Sequence, residues 1–96
     1  MRCLLKISID TAAGNRAIAD GTLPKLMDQL MEATKPEAAY FGTESGDRTA
    51  FIFFDYADAS DMPMIAEPLF SALEARVSMI PVMNSDDLRK GLARLA

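Results

Sequence analysis

Apolar and polar residues alternate with a period of two over residues 2 to 9, RCLLKISI, and that alternation predicts a strand. Cys3, Leu5, Ile7 and Ile9 fall on one face, which is wholly apolar and should meet helices; Arg2, Leu4, Lys6 and Ser8 fall on the other. The period then lengthens. Thr11 is placed to cap a short helix running through Ala17, Ile18 and Ala19, and Gly21 ends it. Thr22 and Pro24 open a second helix, in which Leu23, Leu26, Met27, Leu30 and Met31 recur at helical spacing until Lys35 and Pro36 stop it.

Residues 37 to 44, EAAYFGTE, predict a second strand, and the Ser-Gly pair in ESGD suits a tight hairpin into a third, DRTAFIFFDY. After DASDMP, a loop and helix start, Met62, Ile65, Ala66, Leu69, Phe70 and Leu73 fall on one helical face. Pro68 inside that helix removes a hydrogen bond and clashes with the preceding turn at about 3 kcal/mol, which predicts a kink near Glu67. RVSMIPVM predicts the fourth strand, with Pro81 arguing for a sheet edge. Asn84 or Ser85 then caps a final helix that has Asp86 and Asp87 at its positive end and Leu88, Leu92 and Leu95 on one side. The expected order is βαββαβ plus a C-terminal helix: an α+β domain with an antiparallel four-stranded sheet, strands one and three central, and both crossover helices on one face.

One strand breaks the usual economy of such a sheet. In DRTAFIFFDY, Ala50, Ile52, Phe54 and Tyr56 share the face that should meet the helices. Phe51 and Phe53 then lie on the other face, beside Leu4, Ile80 and either Tyr40 or Phe41. An exposed apolar patch of that kind marks a binding surface. RNA is one occupant to weigh, because RNA-recognition domains share this topology and stack bases on their third strand. Ala50 to Phe54 fits the end of that strand motif, but Asp47, Arg48 and Thr49 stand where it needs a basic residue, a glycine and an aromatic. A second copy of the chain is the other occupant, since isologous pairing needs only one self-complementary surface. Covering roughly 700 Å² of apolar surface per subunit at about 25 cal/mol per Å² supplies well over 10 kcal/mol before association entropy is subtracted.

Composition narrows the functions further. The 96 residues fit one domain, 1–96, and their 50% hydrophobic and 25% charged make-up is that of an ordinary globular chain. A net charge of -4 disfavours nucleic acid and anionic lipid, and no apolar run approaches the roughly 18 residues a membrane span needs. With no His and one Cys, most nucleophile–base pairs and transition-metal sites are excluded, so neither a metal nor a cofactor is expected. Cys3 reads as a packed small hydrophobe in a reduced, cytoplasmic protein. Asp55, Asp58 and Asp61 lack the glycine and distal glutamate of a calcium loop and read as solvated. Glu67, ahead of Pro68, reads as following the curvature of the sheet.

Lys6 and Asp55 are different, because period-two counting puts both on the sheet face a partner would cover, where a charge must be paired or line a wet cavity. They read as a rim salt bridge or as the polar groups of a pocket for an acidic or hydroxylated ligand.

AAGNRAIADGTLPK at 12 to 25, KPEAAYF at 35 to 41, IAEPLF at 65 to 70 and IPVMNSDDL at 80 to 88 together resemble a family of short bacterial proteins of the dimeric α+β barrel, ferredoxin-like kind. The resemblance spans nearly the whole chain. It implies the fold and a homodimer, and it transfers no catalytic residue, since that family has no established activity. Cofactor-independent monooxygenases, lactone isomerases and YCII-like proteins share the barrel shape. The YCII-like group relies on a histidine that this chain lacks.

The expected function is therefore a homodimeric small-molecule-binding domain whose pocket lies between sheet and dimer interface, near Lys6, Tyr40, Phe51, Phe53 and Asp55. The alternative is a cofactor-independent oxygenase or isomerase using Tyr40 or Asp55 for proton transfer. A purely structural partner module is the third reading.

Overall fold

A computed structural model describes residues 1–95. Strand β1, Arg2–Ile9, alternates between buried and half-buried side chains along its whole length, with Cys3, Leu5, Ile7 and Ile9 as the buried set. Helix α1, Thr11–Ala19, is capped by Asp10 and not by Thr11: the Asp10 carboxylate accepts the Ala13 amide at 2.8 Å. The cap must reach the third helical amide from just outside the first turn, and Asp10 stands one residue better placed. Helix α2, Thr22–Thr34, follows a turn at Gly21, whose φ of 79° is one that L side chains rarely adopt.

Strand β2, Ala38–Glu44, and strand β3, Asp47–Asp55, form the expected hairpin. Ser45 and Gly46 both have positive φ, at 52° and 81°, and that paired left-handed geometry matches the twist of the two strands. A single 3₁₀ turn precedes helix α3, Met62–Leu73, which runs through Pro68 without interruption. Its buried stripe is narrower than the spacing predicted. Ile65, Ala66, Leu69 and Leu73 are buried, while Met62 and Phe70 stand exposed, because a short helix resting on a sheet hides only the arc it presents to that sheet.

Strand β4, Arg76–Pro81, lies at the sheet edge, where the missing amide of Pro81 costs no ladder bond. Helix α4, Ser85–Ala93, starts from a capping box in which Asn84 and Asp87 each satisfy the other's backbone amide. The sheet is antiparallel throughout, in the order β2-β3-β1-β4, so the two most apolar strands are central. Helices α1, α2 and α3 pack on one face, sealing a core in which Leu5, Ile7, Ile52, Leu69 and Leu73 are almost wholly removed from water. No residue of α4 is buried, and Leu88, Leu92 and Leu95 project into solvent.

Candidate functional site

The pleat of the sheet assembles the second face from all four strands. Across it, Ala38, Phe53, Leu4 and Ile80 make one continuous row, and Tyr40, Phe51, Lys6 and Ser78 make the next. Of the two aromatics weighed for β2, Tyr40 belongs here; Phe41 pairs with Ala50 and points to the helix side. Leu4, Phe51 and Phe53 shield one another and are half-buried, whereas Tyr40 is 65% and Ile80 44% exposed. The row thus leaves an apolar band facing water on the side opposite α1, α2 and α3.

The charges on this face are paired, but not as period-two counting suggested. Lys6 Nζ meets Glu44 Oε2 at 2.6 Å, and Asp55 Oδ1 meets the Met1 amine at 2.6 Å. The anticipated Lys6–Asp55 rim bridge does not form within the subunit. Lys6 stands opposite Phe51 and Asp55 opposite Arg2, four positions further along the ladder, or about 13 Å at about 3.3 Å per residue. Sharing a face fixes orientation and leaves distance open. The hydrogen bond from the Met1 amine holds the Asp55 carboxyl below the usual carboxylate range, which makes it a weaker base for proton transfer.

Arg2 is the polar centre the pattern missed. Its Nε donates to Glu37 Oε1 and its Nη1 lies 3.5 Å from Asp87 Oδ2 at the start of α4. The Glu37 hydrogen bond and charge raise the Arg2 guanidinium above its ordinary value. The same counting that selected Lys6 places Arg2 on this face two turns of the pleat earlier, so the signal was present in RCLLKISI.

A cavity of about 410 Å³ lies beside this ion pair, lined by Arg2, Glu37, Tyr40, Phe53, Val82 and Met83 among others. Of the five residues expected at the pocket, Tyr40 and Phe53 border it. Phe51 sits next to Tyr40 in the ladder, Lys6 turns away toward Glu44, and Asp55, opposite Arg2, pairs with the Met1 amine just outside the cavity. The Tyr40 hydroxyl makes no hydrogen bond among the described residues and remains free for a ligand. With Arg2 and Lys6 each neutralised by a carboxylate, the face offers an apolar floor and a hydroxyl in place of a free cation.

The remaining candidates have local explanations. Cys3 is 1% exposed, and burial pushes its thiol pKa up, away from nucleophilic reactivity. The Asp58 carboxylate caps the 3₁₀ turn by accepting the Ser60 amide at 2.8 Å and its hydroxyl at 2.7 Å. Glu67 is exposed on α3, behind the sheet from this face. Among the described residues, no helix is long and apolar enough to cross a membrane. Comparison with protein-family models, with curated proteins and with solved structures yields no match, so the reading of this site rests on its geometry.

Proposed function

We propose that two copies of this chain pair through their open sheet faces, and that the enclosed cavity at Tyr40 and Phe53 binds a small, neutral, hydroxylated apolar molecule. The row of Ala38, Phe53, Leu4 and Ile80 carries this reading, because it presents an unbroken apolar line across the sheet with no helix over it. In this reading the chain is a ferredoxin-like βαββαβ domain whose first crossover holds two helices, and the pair forms a dimeric α+β barrel. Helix α4 supports it independently. Leu88 and Leu92 remain 44% and 54% exposed in their own subunit, and a helix projecting from the sheet edge is placed to lie against a neighbour. A standard interface buries about 800 Å² per partner, which a four-stranded face and one helix together supply.

Phe51 would form the barrel floor beside Tyr40, and the Lys6–Glu44 pair would close one end. Lys6 thereby serves the interface more than the ligand. Neutralised cations favour a hydroxylated over an acidic occupant, the two ligand classes the sheet face allowed. The enzymatic alternative, a cofactor-independent oxygenase or isomerase, rests on Tyr40 alone, since Asp55 is tied to the chain's amine and acidified by it. Native mass spectrometry of the purified protein, followed by thermal shift with a panel of phenols and lactones, tests the proposal. The expected result is a dimer whose binding weakens about tenfold on Tyr40→Phe while the dimer persists. A protein that binds no member of the panel, or binds equally well without the hydroxyl, removes the ligand half of the proposal.

A further inference from the structure

Behind the sheet, the helix layer stops short of the β2 edge. A second cavity, of about 380 Å³, opens there between the first half of α2 and the hairpin, with Leu23, Met27, Phe41, Thr43 and Arg48 around it and Ile7 and Ile9 at its floor. Arg48 stands opposite Ile9 in the ladder, which sends its guanidinium to the helix side. There Nη2 donates to the Asn15 side-chain oxygen at 2.9 Å and Nη1 to the Thr11 carbonyl at 3.4 Å. Both acceptors are neutral.

The missing counter-charge is the informative feature. Arg2, Lys6, Arg16, Arg76 and Arg89 each lie within ion-pair distance of a carboxylate. Lys25, Lys35, Lys90 and Arg94 are exposed and solvated. Among the described residues, Arg48 alone is a half-buried cation without a carboxylate, in a chain with 14 acidic residues to draw on. The guanidinium lies over Gly14 of α1, where a Cβ would meet Arg48 Nη1 and this flexible side-chain end would have to shift aside.

A partly desolvated cation beside an apolar cavity is complementary to an anion on a hydrocarbon body. We propose that this cleft is a second binding site, for a medium-chain aliphatic monocarboxylate whose carboxylate pairs with Arg48 and whose chain lies along Leu23, Met27 and Phe41. A phosphate would waste the apolar walls, and a neutral hydrocarbon would leave the guanidinium unpaired. The cleft lies on the opposite face from the dimer surface, so the two proposals stand or fall separately.

Octanoate and its neutral counterpart 1-octanol, titrated into the full chain by calorimetry and by amide NMR, test it. Octanoate is expected to move the resonances of Leu23, Met27, Phe41 and Thr43 and to bind at least tenfold more tightly than octanol. Arg48→Met should weaken octanoate at least tenfold and leave octanol unchanged. Asn15→Asp keeps the arginine and the exposed helix surface but supplies an internal carboxylate, and it should weaken octanoate to a similar degree. Octanoate that leaves those resonances still, or that binds within twofold of the natural chain after either substitution, overturns the proposal.

Discussion

Replacing Ile80 by lysine puts the proposed dimer at risk while sparing the subunit. Ile80 lies on the edge strand β4, on the open face, and is 44% exposed, so the core does not depend on it. Folding stability should change by no more than about 1 kcal/mol. In the dimer the same side chain ends the apolar row. Its exposed part amounts to about 80 Å², and covering it at about 25 cal/mol per Å² contributes about 2 kcal/mol per copy. Twofold symmetry doubles this to about 4 kcal/mol, or about three orders of magnitude in dissociation constant. Desolvating two unpaired ammonium groups adds to the loss, so the figure is a lower bound. Sedimentation velocity across micromolar concentrations reads the outcome directly. The natural chain should run at twice the 10.5 kDa subunit mass and Ile80→Lys at 10.5 kDa, with matching circular dichroism. The natural chain's melting temperature should also rise with concentration. A natural chain that stays at 10.5 kDa throughout, or an Ile80→Lys variant that dimerises normally, refutes the reasoning.

Asn84→Ala removes one half of the α4 capping box and should cost the helix about 1 kcal/mol. Since no residue of α4 is buried in its own subunit, its amide signals in the monomeric Ile80→Lys background should shift toward coil while those of the core stay put; unchanged α4 signals would contradict this. Lys6→Met removes a half-buried cation 2.6 Å from Glu44, and Glu44 is exposed enough to turn to water. It should leave occupancy of the Tyr40 cavity unaltered and the dimer as tight or tighter, and a lost ligand would return Lys6 to the pocket. For Cys3, burial raises the folded thiol's pKa above its unfolded value, so the folded state keeps its proton where the unfolded chain has released it. The resulting stability is complete below the ordinary thiol range and declines as pH rises through the folded value. Iodoacetamide at pH about 8 should therefore label the native chain many-fold more slowly than the urea-unfolded one, and equal rates would place Cys3 at the surface.

The elements were legible because each rests on a local repeat. RCLLKISI needs no partner to reveal its two faces, and the Ser-Gly turn and Asn84 cap act within a few residues of themselves. Strand order followed from the same source, since β1 and β3 are too apolar to be edges. Pairing was not legible in this way. Lys6 and Asp55 share a face, yet the β1–β3 register sets them four positions apart, so one meets Glu44 and the other the chain's amine, and period-two counting contains no register. The cleft at Arg48 lay still further from the pattern, because its width depends on where α2 rests over β2, a matter of packing between distant segments. Even so, the sequence carried two hints that gain meaning only together. A cation counted onto the helix-facing side of a central strand must find acceptors there, and a glycine inside TAAGNRAIA leaves one patch of helix surface bare. Neither fact names the other's position. Once the ladder sets Arg48 beside α1, they become one observation: the guanidinium lies over Gly14 and donates to neutral acceptors, with no acid there to neutralise it.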